Sequence, residues 1–113
     1  MHELSLCQQI IRIITQYAKQ HQVTQVSKIW LDIGELAGVE IEAIRFSFPI
    51  AARDSLAANA ELIIHQIEGQ GWCAKCGEHV KINRYGSLCP QCEGVICDIS
   101  RGNEFNLQKI EAK

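Results

Sequence analysis

Four of the six cysteines stand in two C-x-x-C pairs, Cys73/Cys76 and Cys89/Cys92, with twelve residues between the pairs. A two-residue gap lets the chain curl so that both sulfurs face one point. Gly77 and Gly94 follow the pairs closely, and glycine tolerates the tight turn such a curl needs. Four thiolates at ~2.3 Å around one ion make a closed tetrahedral site, the arrangement of structural Zn²⁺. Such a site supplies much of the folding energy of a short insert too small for its own core. Two disulfides, or a single iron in the same four-thiolate set as in rubredoxin, use the same residues and remain open on spacing alone. With every position filled by protein, no coordination site is left for hydrolysis at the metal.

The compartment bears on that choice. The chain starts MHELSLCQQIIRIITQ, without a basic leader segment or a small-residue cleavage site, and no stretch reaches the length of a membrane span. This points to the cytoplasm, where thiols stay reduced and paired cysteines read as metal ligands. Cys7 falls on an apolar helix face and reads as a small buried hydrophobe, and Cys97, outside the pair spacing, as structural or free. His79, three residues past Cys76, reads as an exposed bystander; His21 and His65 carry no signal.

A second chemistry sits at the start of the chain. Residue 2 is histidine, and a large side chain there keeps the initiator methionine in place, so the free amine belongs to Met1. The Met1 amine, the His2 amide nitrogen and His2 Nδ1 can close consecutive five- and six-membered chelate rings. Nitrogen donors in one plane favour Ni²⁺ or Cu²⁺. A fourth position stays open to the Glu3 amide, a carboxylate or an acceptor protein. The amine and imidazole must first lose protons, so binding weakens as pH falls. By itself a Met-His start also fits a frayed terminus without function.

The elements that must position these groups follow from periodicity. Over Leu4–His21, Cys7, Ile10, Ile11, Ile14, Tyr17 and Ala18 fall at helical spacing; Ser5 and Gln8 have the spacing of a capping box, with a start one or two residues earlier as the alternative. Val26–Ile33 alternates as a half-buried strand, Gly34 and Gly38 bracket a turn, and residues 39–48 suggest a second helix. Pro49 should bend or end that helix, because it cannot donate to the Arg45 carbonyl; a strand over Phe46–Ile50 is the alternative. Ala60–Glu68 reads as a strand, Gly69-Gln70-Gly71 as a break, and the segment around Ile96–Ile99 leads to a Gly102-Asn103 turn and a closing strand over Phe105–Ile110. The expected class is α+β: a small mixed sheet with two helices, interrupted by a four-cysteine, zinc-ribbon-like insert and completed by the last strand.

With 113 residues and 11 Lys+Arg against 13 Asp+Glu, one domain carrying an insert is expected, with no general attraction to nucleic acid or anionic lipid. The competing readings are a zinc-ribbon adaptor, which fits the cysteine spacing, and an electron carrier with iron. Lys75, Lys81 and Arg84 are too few for a phosphate footprint. No nucleophile, phosphate loop or acid–base pair points to an enzyme.

Taken together, the opening Met1-His2-Glu3-Leu4-Ser5-Leu6-Cys7, the strand Ile29-Trp30-Leu31-Asp32-Ile33-Gly34, Val39-Glu40, Arg45-Phe46-Ser47-Phe48 and Trp72-Cys73 with both cysteine pairs resemble the HypA/HybF family of nickel chaperones in [NiFe]-hydrogenase maturation, on the HybF side. The likeness runs over essentially the whole chain. It implies that His2, with the Met1 amine, binds Ni²⁺, and that Cys73, Cys76, Cys89 and Cys92 bind Zn²⁺. Glu3 and Glu40 match positions near the nickel site and are expected as auxiliary groups. The implied domains are a nickel-binding part over 1–68, completed by 104–113, and a zinc-binding part over 69–103. Implied partners are a HypB-type GTPase and the hydrogenase large-subunit precursor, in some organisms the urease system, with room for a homodimer. Pro49 departs from the family's pattern, where a helix-compatible residue is more usual.

Overall fold

A computed structural model of the protein describes residues 2–96 and 98–113. The elements run α1 (His2–His21), β1 (Val26–Gly34), α2 (Ile41–Ala52), β2 (Glu61–Ile67), β3 (Gln70–Cys73), β4 (Glu78–Lys81), β5 (Asp98–Arg101) and β6 (Phe105–Ala112). Two three-stranded sheets form, in the orders β2-β1-β6 and β4-β3-β5. The fold is α+β with two helices, and the closing strand returns beside β1, completing the first sheet as expected.

Contacts divide the described chain into two compact units. The first takes residues up to Leu31, Val39–Ile64 and Leu107–Lys113; the second takes Asp32–Gly38 and His65–Asn106.

In the first unit, α1 turns Cys7, Ile10, Ile14 and Ala18 inward, α2 turns Ile44, Phe48 and Ala52 inward, and β1 contributes Val26, Ile29 and Leu31. Cys7 is 1% exposed, with its sulfur 3.9 Å from the Ile44 carbonyl. Burial, with a smaller contribution from the Glu3 carboxylate, pushes its thiol up to about 11, so it stays a neutral filler of the helix contact. Tyr17, placed on the inward face by spacing, is instead half exposed and stacks on His21 at 4.1 Å.

The second helix does not end at Pro49; it continues to Ala52. Proline leaves the Arg45 carbonyl without its helical donor. Both residues lie on the exposed side of α2, so water can take the place of that donor, while Ile44, Ser47 and Phe48 hold the other side in the core.

The second unit holds two strands that the sequence pattern hid. β3 and β4 pair antiparallel with Trp72 opposite His79 and Cys73 opposite Glu78, and β5 flanks β3 on its other edge. Four-residue strands carry too few alternations to register as a period. Gly71, read as a break, lies inside β3: a Cβ there would collide with the Ile96 side chain, so the residue permits close approach. Gly34, Gly69 and Gly102 act alike on the backbone scale. A Cβ on Gly34 would strike the Gly102 carbonyl, and one on Gly102 would strike Gly69. Around them Leu36 N–H donates to the Gly102 carbonyl at 2.6 Å, Gly69 N–H to Glu35 Oε1 at 3.0 Å, and Gly102 N–H to Glu104 Oε1 at 2.8 Å.

Candidate metal centre

The four paired cysteines converge inside the second unit. Their Sγ atoms all lie within 4.8 Å of one another. Cys73 and Cys92 are 3.5 Å apart, and Cys76 and Cys89 3.9 Å. A tetrahedron of sulfurs at ~2.3 Å from a central ion has edges of ~3.8 Å. The set therefore fits one thiophilic ion. Among the described residues it is the one group of three or more His, Cys, Asp or Glu donors close enough to hold a metal.

Two turns of one design build it. In the first, Cys73 closes β3, Cys76 N–H donates to Cys73 Sγ at 3.4 Å, and Gly77 N–H donates to the Cys73 carbonyl at 2.8 Å with Gly77 at φ 68°. In the second, Gln91 N–H donates to Cys89 Sγ at 3.4 Å and Glu93 N–H to the Cys89 carbonyl at 2.8 Å, with Glu93 at φ 62°. The left-handed position of the second turn is thus Glu93, and not Gly94 as the sequence suggested. Gly94 serves by its size: a Cβ there would sit 3.3 Å from Cys92 Sγ. Cys89 N–H donates back to the Gly94 carbonyl at 2.8 Å and closes the loop.

The sulfurs are part of a core as well as a site. Cys73 and Cys89 are each 1% exposed and cluster with Leu36, Val80, Ile82 and Ile96, while Cys76, Cys92 and Ile99 pack against them. Without a cation the set divides its charge unevenly. The Cys92 N–H, and after it the Gln91 N–H, lower the Cys89 thiol to about 7. Hydrogen bonding to Cys92, then burial and the other sulfurs, pushes Cys76 up to about 12. One thiolate is accepted readily and further negative charge is resisted, until a divalent ion offsets it.

The other expected site residues are distributed differently. His2 is the first residue of α1 and exposed, and Glu3 lies in the first turn. Glu40 is the exposed N-cap of α2, in extended conformation, and its carboxylate makes no capping hydrogen bond. Met1 and Cys97 lie outside the described residues. Side chains alone do not gather His2, Glu3 and Glu40 into a cluster of the kind the cysteines form. His79 lies on the exposed side of β4, bonded through Nδ1 to Ser100 Oγ at 2.8 Å and edge-on to Trp72. Glu35 and Glu104, which anchor the glycine backbone next to this unit's core, carried no sequence signal. Both read as ordinary surface carboxylates until the chain folds around them.

A family described as "Hydrogenase/urease nickel incorporation, metallochaperone, hypA" matches residues 1–112. The chain is 43% identical to the hydrogenase maturation factor HybF of Salmonella typhimurium and 39% identical to HybF of Escherichia coli, in each case over the whole of both chains. It is 38% identical to the maturation factor HypA of Acidithiobacillus ferrooxidans, again over full length. The solution structure of the Ni metallochaperone HypA from Helicobacter pylori superposes with a TM-score of 0.68 at 27% identity, covering 97% of this chain and 96% of that one. A second solution structure of a HypA protein gives 0.71 at 27% identity, covering 100% and 97%. These matches define a class of nickel-handling maturation factors. The chain belongs to the HypA/HybF family of hydrogenase and urease nickel-incorporation metallochaperones, and it is not an enzyme.

Proposed function

We propose that this chain binds Ni²⁺ at its N-terminus and delivers it to the large-subunit precursor of a [NiFe]-hydrogenase, while a Zn²⁺ ion held by Cys73, Cys76, Cys89 and Cys92 maintains the second unit. The nickel reading rests on His2 standing exposed as the first residue of α1. The first four N–H groups of a helix have no carbonyl partner within it, so the His2 and Glu3 amides are free to ligate without breaking the helix. The amine of Met1, the His2 amide and the imidazole then wrap one face of the ion. Glu3 and Glu40 carboxylates serve as auxiliary or orienting groups, the latter supported by its unused capping oxygen.

Nickel is cargo in this scheme, so its site must open. A terminal chelate releases stepwise, one donor at a time, as an acceptor thiolate takes the free position and the imidazole swings away. The sulfur set has the opposite character. Bound zinc supplies a fixed charge that keeps the four thiolates together, and no position is left from which an acceptor could begin exchange.

In the accompanying assignment, residues 1–68 with 104–113 form the nickel-binding domain and 69–103 the zinc-binding domain. A HypB-type GTPase and the hydrogenase precursor are the partners, and the cytoplasm is the compartment. Among the described residues no helix is long and apolar enough to cross a membrane.

Nickel titration by calorimetry tests the reading on zinc-loaded protein with its native terminus. His2→Ala, and separately a short extension before Met1, should each weaken nickel binding more than ~100-fold with zinc still near one per chain. Unchanged affinity in either variant would remove the terminus from the site.

A further inference from the structure

The loop that carries the second cysteine pair has an outer surface that the sulfur set does not use. From His79 through Gln91 the chain holds Lys81 and Arg84 but no Asp or Glu. Arg84 and Ser87 close a tight turn: Ser87 N–H and Oγ both donate to the Arg84 carbonyl, at 3.4 and 2.7 Å, with Gly86 between them at φ 79°. That turn holds Tyr85 out at its corner, 59% exposed. Leu88 follows, 55% exposed, and an isolated antiparallel bridge sets it beside Val95, which is 69% exposed. Two grooves meet at Leu88. One, of about 370 Å³, is lined by Lys81 and Pro90; the other, of about 660 Å³, is lined by Arg84. Asn83 and Ser87 belong to both. Apolar groups gathered at the surface inside a polar rim are the pattern of a contact site, and Tyr and Arg often carry most of the energy of such contacts.

We propose that this trough takes an extended acidic segment of a partner protein. Carboxylates of the segment meet Lys81 at one end and Arg84 at the other, and an apolar side chain between them covers Leu88. Charge selects this occupant. Among the described residues Arg84 has neither an ion-pair nor a side-chain hydrogen-bond partner. Lys81 meets Glu68 at 3.3 Å, but both side chains are largely exposed, and so open a pair gives up its partner at little cost. The Asn83 amide offers both a donor and an acceptor, which suits the backbone of an extended chain. A nucleic-acid strand fits less well, because two cations and one ring give neither a phosphate track nor a stacking platform. Leu88 and Pro90 flank Cys89, whose N–H donates to the Gly94 carbonyl at 2.8 Å. The closure that gathers the sulfurs therefore also forms this surface. The proposal goes beyond the nickel reading and uses none of its residues.

Amide chemical shifts of the full zinc-loaded chain, titrated with short capped peptides, test it. One set of peptides carries a leucine between two aspartates at varied spacing; a matched set carries lysine in place of aspartate. The acidic set should move the amides of Lys81–Leu88 and Val95 and leave those of α1 and α2 in place, with affinity falling as salt is raised. Arg84→Glu should weaken binding by about fivefold or more, and exchanging one aspartate of the peptide for lysine should restore it. Leu88→Ser should also weaken binding, with zinc still near one per chain as the check on the fold. Shifts absent with every acidic peptide would overturn the proposal, as would equal binding of the lysine set or indifference to Arg84→Glu. The same amides moved by a single-stranded oligonucleotide and not by the peptides would assign the surface to nucleic acid. Shifts that follow protein concentration alone would assign it to a second copy, and either result overturns the proposal. Nickel affinity of Arg84→Glu should match the native chain, so failure here and failure at the terminal site are told apart.

Discussion

The sulfur cluster and the start of α1 hold their donors in opposite ways. At the cluster, four side chains from two turns are brought within 4.8 Å of one another, two of them almost wholly buried in the unit's core. At the start of α1, one exposed imidazole is joined by backbone groups that the helix leaves unsatisfied. The first arrangement costs the fold dearly if broken, because the ligands are also core residues. The second can be emptied and refilled without moving any buried atom. In the proposed scheme a protein that keeps one ion and hands over another needs both kinds of site, and the difference in donor burial supports that division.

The largest test of that contrast is Cys73→Ala. Structural zinc contributes roughly 10–16 kcal/mol to small domains, and Cys73 also belongs to the core cluster with Val80, Ile82 and Ile96. We expect zinc loss and collapse of amide dispersion in the second unit, with α1 and α2 still helical by circular dichroism. A folded, zinc-loaded variant would refute the four-cysteine assignment. His2→Ala should do the reverse, abolishing tight nickel binding while leaving the amide spectrum of the second unit unchanged.

Acid sharpens the comparison next. In the proposed scheme nickel at the terminus competes with protons for its nitrogen donors, so nickel affinity should drop as pH falls. The zinc set begins from Cys89 already lowered to about 7 and gains from four sulfurs at once, so zinc should remain bound through the range in which nickel leaves. Simultaneous release of both metals in a stepwise acid titration would break the distinction.

The smallest effects lie within the sulfur site, between its two turns. Gly77 at φ 68° and Glu93 at φ 62° occupy equivalent left-handed positions, where a non-glycine residue pays about 1–2 kcal/mol. Gly77→Ala should therefore destabilise the second unit by about 1 kcal/mol, and Glu93→Gly should stabilise it by a similar or smaller amount. Chelator-driven zinc release rates would follow both. Equal effects of the same sign would mean that the turns are not equivalent.

Parts of this protein were legible because their signals are short-range. The pairs Cys73/Cys76 and Cys89/Cys92 declare their chemistry through a two-residue gap, α1 through eighteen residues of helical spacing, and β1 through its alternation from Ile29 to Ile33. Pro49 misled because a proline's cost depends on which side of the helix faces water, and the outward side of α2 absorbs it. β3 and β4 were hidden because four residues hold no measurable period and a glycine stood in one of them.

The sequence by itself determined the cysteine pairs, the long elements and the family, since each depends on residue type at fixed local spacing. Only the tertiary structure decided that all four sulfurs meet within 4.8 Å of one another, that Glu93 and not Gly94 takes the left-handed turn, and that Glu35 and Glu104 hold the glycine backbone. Those outcomes depend on segments tens of residues apart meeting at van der Waals distance. No local pattern encodes which atoms are left facing one another once the core has closed.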